Sequence, residues 1–338
     1  MSILREDVET VAKSFDEHVL IGVTSVECFI EYLERVEVVK AETNTEDDDF
    51  LVKRGHFEGL VDARRRIADA NSIVVLAVYS YDEECVGVDV EKDLRGRIAR
   101  TYAYYPVVRI LADKVVNFLV EKGFDAASGQ DVPLKVAATR AGMGFQGKHT
   151  ILITKPYGSY VALRAVITNA RIEADEPYGE PECGRCIACL KACPTGAIYQ
   201  PFKVNPRKCI NVLTRIPRYI PPEIRVKMDA RLLGCDICQE VCPKNRFLKP
   251  RKRSEHAGFQ PEYHMSHEHL AGVKENFPKL IPLLNRGKSP MIRRNAAIIL
   301  GNLGDPRALP ALKEQLKKED EFVRPYIQYA IQQIERPS

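Results

Sequence analysis

The sequence predicts an α/β (α+β) chain in three parts: a mixed α/β domain, a domain that binds two iron–sulfur clusters, and a set of short helical repeats. A β-branched run at residues 73–79 has the composition of a buried strand and lies among amphipathic helices. Two cysteine runs follow, each ending in Cys-Pro. Short helices separated by turn residues complete the chain. We expect domain boundaries at 1–178, 179–252 and 253–338.

The composition is that of a soluble globular protein. The chain has 338 residues, of which 45% are hydrophobic and 28% are charged. No apolar run approaches the roughly 20 residues that span a bilayer, and the N-terminal helix lacks the apolar core of a signal peptide. We therefore expect a cytoplasmic protein with reduced thiols and no membrane partner.

Hydrophobic periodicity predicts the elements of the first part in order. Predicted helices cover residues 3–18, 26–36, 57–70, 99–122 and 133–141, and predicted strands cover 20–24, 73–79, 149–154 and 160–168. Pro106 must either kink the fourth helix or begin a new one, because its ring removes a backbone donor. This mixed order of helices and strands predicts an α/β domain.

A glycine-rich loop, Ala141–Thr150 (AGMGFQGKHT), contains G-x-G-x-x-G at Gly142, Gly144 and Gly147. A dinucleotide site needs a strand before these glycines and a helix after them, and here the order is reversed. The glycines still indicate that the backbone closely approaches either another strand or a flat cofactor. Lys148 would suit a phosphate or propionamide edge, or it would lie on the surface of a tight turn.

The cysteine run from Cys183 to Pro194 is C-x₂-C-x₂-C-x₃-C-P, the ligand spacing of a bacterial ferredoxin. In that spacing, the fourth cysteine of each run binds the cluster of the other run. The first crossed set is Cys183, Cys186, Cys189 and Cys242, and the second is Cys193, Cys209, Cys235 and Cys238. Zinc sites, disulfides and coincidence are alternatives, but paired Cys-Pro runs are more specific than isolated C-x-x-C motifs.

The last part of the chain is basic. Residues 203–253 contain 14 Lys/Arg against 4 Asp/Glu, and residues 277–338 contain 11 against 6. This excess admits a nucleic-acid partner, although the cations would also balance anionic clusters. Predicted helices at 277–284, 291–300, 307–317 and 321–334 resemble HEAT repeats. Two repeat units are too few to stand alone, so they should pack on the rest of the chain.

A basic face on the repeats would be formed by Arg286, Lys288, Arg293 and Arg294. Stacked repeat helices present an extended surface, and such a face would suit an RNA backbone. An ordinary solvated helix face is the alternative.

Three segments together resemble the epoxyqueuosine reductase family: AGMGFQGKHT, GCDICQEVCP and RRNAAIILGNLGD. The likeness covers residues 70–338. These enzymes depend on cobalamin and iron–sulfur clusters, are related to reductive dehalogenases, and reduce epoxyqueuosine in tRNA to queuosine. The resemblance implies a nitroreductase-like domain holding cobalamin base-off, a ferredoxin-like domain with two [4Fe–4S] clusters, and a HEAT-like domain that grips the tRNA anticodon arm.

The resemblance also implies roles for individual residues. The expected cofactor contacts are Gly142, Gly144, Phe145, Gln146, Gly147, Lys148 and Ser159. Family members usually carry Asp-Ser/Thr-Gly-Pro before the glycine loop, and its Asp is the proton donor. The corresponding stretch here is residues 128–133, in which Asp131 is the candidate. Tyr104 and Tyr105 are alternative donors, and a solvated loop carboxylate is the other interpretation of Asp131.

The chain departs from the family pattern around this pocket. The Asp segment is closer to the glycine loop, a Tyr-His pair appears as Tyr105-Pro106, and the usual Asn of the loop is His149. These differences leave the cysteine runs intact, so they bear on the substrate more than on the redox centres.

The resemblance predicts a monomeric oxidoreductase with an external low-potential donor such as ferredoxin or flavodoxin. Electrons would pass through the outer and inner clusters to cobalamin, whose Co(I) state would open the epoxide. The altered pocket keeps two alternatives open. One is a reductase of a small molecule, as in the dehalogenases, and the other is an electron-transfer protein that activates another corrinoid protein.

Overall fold

In the computed structural model, residues 3–45, 61–83, 89, 91–252, 278–287 and 289–336 are described. The strands are β1 Val19–Ser25, β2 Ser72–Tyr79, β3 Arg97–Ile98, β4 Ala126–Gly129, β5 Gly144–Gln146, β6 Leu152–Thr154, β7 Val161–Thr168, β8 Ile198–Gln200, β9 Lys203–Val204 and β10 Arg231–Leu233. The helices are α1 Arg5–Phe15, α2 Ile30–Thr43, α3 Tyr105–Glu121, α4 Leu134–Arg140, α5 Ala188–Ala192, α6 Ile210–Leu213, α7 Pro222–Arg225, α8 Ile237–Glu240, α9 Leu280–Arg286, α10 Pro290–Leu303, α11 Leu309–Leu316 and α12 Arg324–Glu335. Within these ranges, no helix has the length and apolar character to cross a bilayer.

A four-stranded antiparallel sheet with the order β1-β2-β7-β4 forms the centre of the first part. Strand β2 is buried along its whole length because its side chains alternate between two covered faces. Val74 and Leu76 pack with α1 and α3, whereas Ile73 and Val75 pack with α4. The predicted α/β class is therefore confirmed.

Pro106 begins a helix and does not kink one. The 3₁₀ segment Arg100–Tyr104 precedes α3, and Pro106 lies in the first turn of α3, where a missing N–H leaves no bond unmade.

Two predicted elements are wrong. Residues 61–70 contain only the 3₁₀ segment Ala63–Arg65, while 57–60 lie outside the described residues. The strand predicted at 149–154 begins only at Leu152, because a turn with Thr150 at φ 65° precedes it.

The cluster and repeat regions share one apolar core. Leu213 and Ile220, from the stretch between the cysteine runs, lie in the same buried cluster as Ile292 and Ile299 of α10. Strand β3 of the first part also pairs in parallel with β10. The expectation that the repeats pack on the rest of the chain is confirmed, because residues outside the repeats cover their apolar faces.

Arg294 lies at the centre of this junction and is fully buried. Its guanidinium donates to the backbone carbonyls of Leu213, Ile216 and Arg218 at 2.8, 2.9 and 2.7 Å, and to Oδ1 of Asn295. Burial lowers the pKa of Arg294 to about 10, so the side chain stays charged at neutral pH. Arg294 is a structural clamp, and the prediction that it faces RNA is wrong because these interior carbonyls bind its donors.

Arg293 is also engaged within the protein. Its guanidinium forms an ion pair with the buried carboxylate of Glu319 at 2.7 Å and donates to the carbonyl of Gly287 at 2.8 Å. Arg293 is therefore not a free cation of an RNA-facing surface. Lys288 and the side chain of Arg286 lie outside the described residues.

Replacing Arg294 should destabilise the protein strongly. Arg294→Ala leaves three buried carbonyls without their donor, so the apparent free energy of unfolding should fall by about 3 kcal/mol or more. Arg294→Lys, which keeps the charge but loses the planar fork, should lose less. Urea unfolding of the cluster-loaded protein measures both. Arg336→Ala, at an exposed arginine with one 3.4 Å hydrogen bond, is the control and should stay close to wild type. An Arg294→Ala midpoint equal to that of the control would contradict the clamp.

Candidate iron–sulfur and cofactor site

The cysteines of the two runs are brought together by the packing of α5 against α8. Cys242 of the second run is close enough to Cys183 and Cys186 of the first run for their charges to interact. Cys193 of the first run is likewise coupled to Cys209. No three His, Cys, Asp or Glu side chains in the described ranges are placed to bind a single metal ion. The crossed sets therefore rest on the run spacing and on these proximities.

The two cysteine sets have different surroundings. Accessibility alone does not separate them, because Cys186 of the first set is exposed but Cys189 is buried, while the four cysteines of the other set are all partly accessible. Burial raises the pKa of the Cys235 thiol to about 12 and that of Cys238 well above its ordinary value. We call the set that contains Cys186 the outer set and the set that contains Cys209 the inner set.

Backbone N–H groups point at the sulfurs. Burial raises the pKa of Cys209 and of Cys242, and hydrogen bonds from the backbone oppose that rise. Asn211 and Val212 supply them at Cys209, and Lys244 does so at Cys242. Donors of this kind stabilise the negative charge of a thiolate-held cluster. The local backbone is therefore arranged for anionic sulfur.

The glycine loop is explained by a neighbouring strand. Gly144 pairs with Thr154 in the β5–β6 hairpin, and a Cβ at Gly144 would lie 2.1 Å from the carbonyl oxygen of Ile153. Gly142 has φ +66°, and a Cβ there would lie 2.5 Å from the carbonyl oxygen of Glu176. A side chain at either position would collide with the backbone. The sequence leaves open whether these glycines approach another strand or a flat cofactor. At Gly142 and Gly144, the close approach is to protein backbone.

Phe145 and Lys148 of the loop are committed to contacts within the protein. Phe145 is buried, and its ring lies 5.7 Å from that of Tyr178. Lys148 Nζ donates to the carbonyls of Gly184 and Cys186 at 2.7 and 3.0 Å. Lys148 thus fastens the outer cysteine loop to the α/β domain, and two of its three donors are unavailable to a phosphate or propionamide edge.

Ser159 is part of a buried pair between domains. Its N–H donates to Oδ1 of Asn245 at 2.9 Å, and Nδ2 of Asn245 donates back to its Oγ at 2.8 Å. This pairing occupies the groups expected to contact a cofactor. Gln146 is half-buried and accepts a 3.4 Å hydrogen bond from Arg35, and a Cβ at Gly147 would meet the His149 ring at 2.9 Å.

Lys135 lies near the inner set, and we call the region between them the enclosure. Lys135, in the first turn of α4, is accessible to solvent yet surrounded by protein. Burial lowers the pKa of Lys135, and the nearby thiols of Cys209 and Cys238 oppose that shift. The ammonium group therefore faces the inner cysteines across a space that solvent reaches.

His149 has an unpaired buried donor near Lys135. The residue is 3% exposed, and its Nδ1 accepts a hydrogen bond from the N–H of Ile151 at 3.1 Å, so the proton of the neutral ring is on Nε2. Burial and Lys135 lower its pKa to about 4, which keeps the ring neutral. Nε2 is buried and has no partner in the described part of the chain. Buried N–H groups are normally bonded, so this one has the position of a donor to a bound group.

Tyr104 and Tyr105, the two alternative proton donors, have different surroundings. Tyr104 is fully buried, and its hydroxyl donates to Oδ2 of Asp82 at 2.6 Å. Tyr105 stacks edge-on against Tyr102 with the ring centres 5.3 Å apart, and its hydroxyl has no hydrogen bond to a described residue. Burial raises the pKa of Tyr105, and Arg215 opposes the shift. Of the two hydroxyl groups, that of Tyr104 is thus engaged by a carboxylate within the protein, and that of Tyr105 is not.

Asp131 lies in the loop between β4 and α4 and is half-exposed, with its Oδ2 4.0 Å from Nε of Arg66. It precedes Lys135 by four residues and lies outside α4. Within the described residues, no hydrogen bond or ion pair joins Asp131 to Tyr105, Lys135 or His149. The loop would therefore have to move for its carboxyl group to act in the enclosure.

Two family models match the chain: "4Fe-4S double cluster binding domain" over residues 182–245, which includes all the predicted cluster ligands, and "HEAT repeats" over residues 269–334. An epoxyqueuosine reductase of Staphylococcus aureus is 30% identical over 342 residues, covering 93% of this chain and 84% of that protein. The chain belongs to the epoxyqueuosine reductase family.

Other epoxyqueuosine reductases match over shorter spans. The Bacillus subtilis protein is 33% identical over 256 residues, covering 64% of this chain and 66% of its own length. The Listeria monocytogenes protein is 34% identical, covering 69% of this chain and 60% of its own length. The chain thus spans slightly under two thirds of these two relatives.

Solved epoxyqueuosine reductase structures have the same overall fold. The Streptococcus thermophilus structure matches with a TM-score of 0.79 at 25% identity, covering 99% of this chain and 91% of that one. A crystal structure with an epoxyqueuosine-modified tRNA-Tyr stem-loop matches with a TM-score of 0.69 at 29% identity, covering 98% and 99%. The three-part fold is therefore that of the epoxyqueuosine reductases.

The sequence reasoning overlooked Lys135 and Arg215 as pocket residues. Lys135 is the single cation among small or apolar residues in LKVAAT, and that isolation is a usable signal. Arg215 gives no comparable signal, because it is one of many cations in a basic linker. Its position near Tyr105 follows only from the fold.

Cysteine variants will test the crossed ligand sets. Cys242→Ala and Cys183→Ala should lose the same cluster, so the reduced proteins should give the same electron paramagnetic resonance spectrum. Cys193→Ala should lose the other cluster and give a different spectrum. If each run instead held its own cluster, Cys242→Ala would match Cys235→Ala and Cys193→Ala would match Cys183→Ala.

Proposed function

We propose that this chain reduces the epoxide of epoxyqueuosine in a tRNA anticodon stem-loop to the alkene of queuosine. The observation that carries the proposal is that the outer set reaches the surface at Cys186, whereas burial strongly raises the pKa of Cys235 and Cys238 of the inner set, which lies beside Lys135. That arrangement suits delivery of single electrons from outside to a buried reducing centre. Family membership and the relative bound to a modified stem-loop support the substrate.

One [4Fe–4S] cluster would be held by the outer set, Cys183, Cys186, Cys189 and Cys242, and the other by the inner set, Cys193, Cys209, Cys235 and Cys238. The double-cluster match supports this assignment. The outer cluster would accept electrons at the surface, and the inner cluster would pass them to the enclosure. The N–H groups around Cys209 and Cys242 would stabilise the added charge.

The enclosure fits cobalamin, which the family resemblance implies and which we expect to bind base-off. Its amide carbonyls and its phosphate are acceptors, and Lys135 and the buried His149 near it are donors. When bound, cobalamin supplies a strongly reducing centre for cleavage of carbon–oxygen bonds. His149 and Lys135 would hold its polar edge, and Tyr105 would stand beside it.

The overall reaction needs two electrons and two protons. Both carbon–oxygen bonds of the epoxide break, a carbon–carbon double bond forms, and the oxygen leaves as water. Asp131 would deliver a proton from its loop, with Tyr105 as the alternative source. In a Bacillus subtilis relative, an aspartate catalytic loop is seen swung out of the active site, which supports a donor that moves.

RNA would bind across the basic linker and the repeat domain. Arg286 and Lys288 remain the candidate RNA-binding cations of the repeats. Arg293 and Arg294 are no longer candidates, because both are bonded within the protein. We expect a low-potential donor such as ferredoxin or flavodoxin, a cytoplasmic location where tRNA is modified, and a monomer. A monomer is sufficient because one chain supplies both cysteine sets and the enclosure.

Asp131→Asn should lower turnover of an epoxyqueuosine-modified stem-loop by about 10²- to 10⁴-fold, because a general acid is removed. Cobalamin binding, followed by its absorption spectrum, should not change. Asp125→Asn, at an exposed carboxylate beyond the other end of β4, is the matched control and should keep its activity. Unchanged turnover of Asp131→Asn would remove this residue from the mechanism.

The same assay separates the proposed function from its alternatives. Conversion of epoxyqueuosine to queuosine in the nucleoside digest is expected. If the loaded protein leaves the stem-loop unchanged but reduces a halogenated or epoxidised small molecule, the substrate assignment fails. If it reduces only another corrinoid protein, it is an electron carrier.

His149→Leu should weaken cobalamin binding by roughly tenfold, because a buried donor is lost. His149→Asn supplies an amide donor and the residue usual in the family, so it should bind more tightly than His149→Leu. A spectrophotometric titration with cobalamin measures both without any turnover. Equal affinity of His149→Leu and wild type would show that Nε2 does not contact the cofactor.

A further inference from the structure

The surface over the outer cysteine set has an apolar centre. Ile187 is 41% exposed, Val241 is 39% exposed and Phe247 is 85% exposed. Ile187 precedes α5 and Val241 follows α8, and these two helices pack together, so both side chains flank the outer set. Cys186, adjacent to Ile187, is itself exposed. A redox ligand at the surface beside exposed aliphatic and aromatic side chains indicates a contact site.

Cations surround this centre. Arg185, Lys191 and Arg246 are exposed, and none has an ion pair with another described residue. Lys244 is paired with Glu182 at 2.8 Å, so that acidic neighbour is already neutralised. Against these three cations stands Glu180, which is exposed and has no ion pair with a described residue, so the net charge of the rim is positive.

We propose that this surface is the docking site of an acidic, low-potential, one-electron carrier protein. The inference rests on the proposed function, because it names the partner that loads the outer cluster. A small apolar patch with a charged rim is the form of weak, transient electron-transfer contacts. Complementary charge speeds such encounters without making them tight. Of the three residues of the centre, Ile187 and Val241 have no ring to stack on a base and the ring of Phe247 already has Arg246 over one face, so a protein partner suits the centre better than RNA.

The transfer at this site is a single-electron step. The carrier loses one electron and the outer cluster gains it, with no bond made or broken and no proton moved. The carrier must then leave, because two electrons are needed for each epoxide. A short-lived complex therefore matches the chemistry.

The test is the rate at which photoreduced flavodoxin, an acidic carrier of this class, reduces the cluster-loaded protein in a stopped-flow instrument. The double variant Lys191→Glu/Arg246→Glu should be reduced about tenfold more slowly at low salt, and the difference should shrink at high salt. Phe247→Ser should also slow the reaction, without the salt dependence. The control Lys227→Glu/Lys317→Glu makes the same charge change at exposed lysines in other parts of the chain and should behave as wild type.

Reduction by dithionite and iron content should be the same in all variants, which excludes loss of the cluster as the cause. Equal flavodoxin rates for the rim variant and the control would overturn the proposal. The proposal would also be overturned if a tRNA stem-loop slowed reduction by flavodoxin and the rim variant bound the stem-loop more weakly than wild type. The surface would then be an RNA interface. The readout needs no epoxyqueuosine, so failure of the substrate assignment would not alter it.

Discussion

The crossing of the two cysteine runs is the constraint on which the rest of the structure depends. Cys242 must reach the first run and Cys193 must reach Cys209, so α5 and α8 are held against each other. The long linker between the runs is then fixed at both ends. Arg294 can bind three of its carbonyls, and the repeat helices can complete one core with it. A redox requirement thus sets the packing of two domains.

The two cysteine sets also differ in their surroundings. The outer set reaches a surface with an apolar centre and a basic rim, while the inner set lies near Lys135, which is itself near His149. Lys148 joins the outer loop to the α/β domain, and the pair of Ser159 and Asn245 joins the second run to it. These ties hold the path between the two domains at a fixed geometry, which is what short-range electron transfer requires.

The sequence predicts the features that depend on local pattern. The cysteine spacing, the strand at 73–79 and the helix start near Pro106 all follow from nearby residues. Arg294 does not, because a polar residue in an amphipathic helix looks exposed until the distant carbonyls at 213–218 are known. Lys148 and Ser159 were misplaced for the same reason, since their partners come from the cluster domain. His149 shows the reverse case, because its chemistry is visible in the sequence but its unpaired Nε2 is visible only in the fold.

The most direct measurement is a single turnover without any external donor. Protein loaded with both clusters and cobalamin is fully reduced, freed of reductant and mixed anaerobically with an epoxyqueuosine-modified stem-loop. Cluster oxidation is followed by absorbance, and queuosine is followed by mass spectrometry of the nucleosides. We expect one queuosine for every two electrons that leave the protein. Clusters that stay reduced in the presence of the stem-loop, or that become oxidised without forming queuosine, would contradict the proposed path from the outer set to the epoxide.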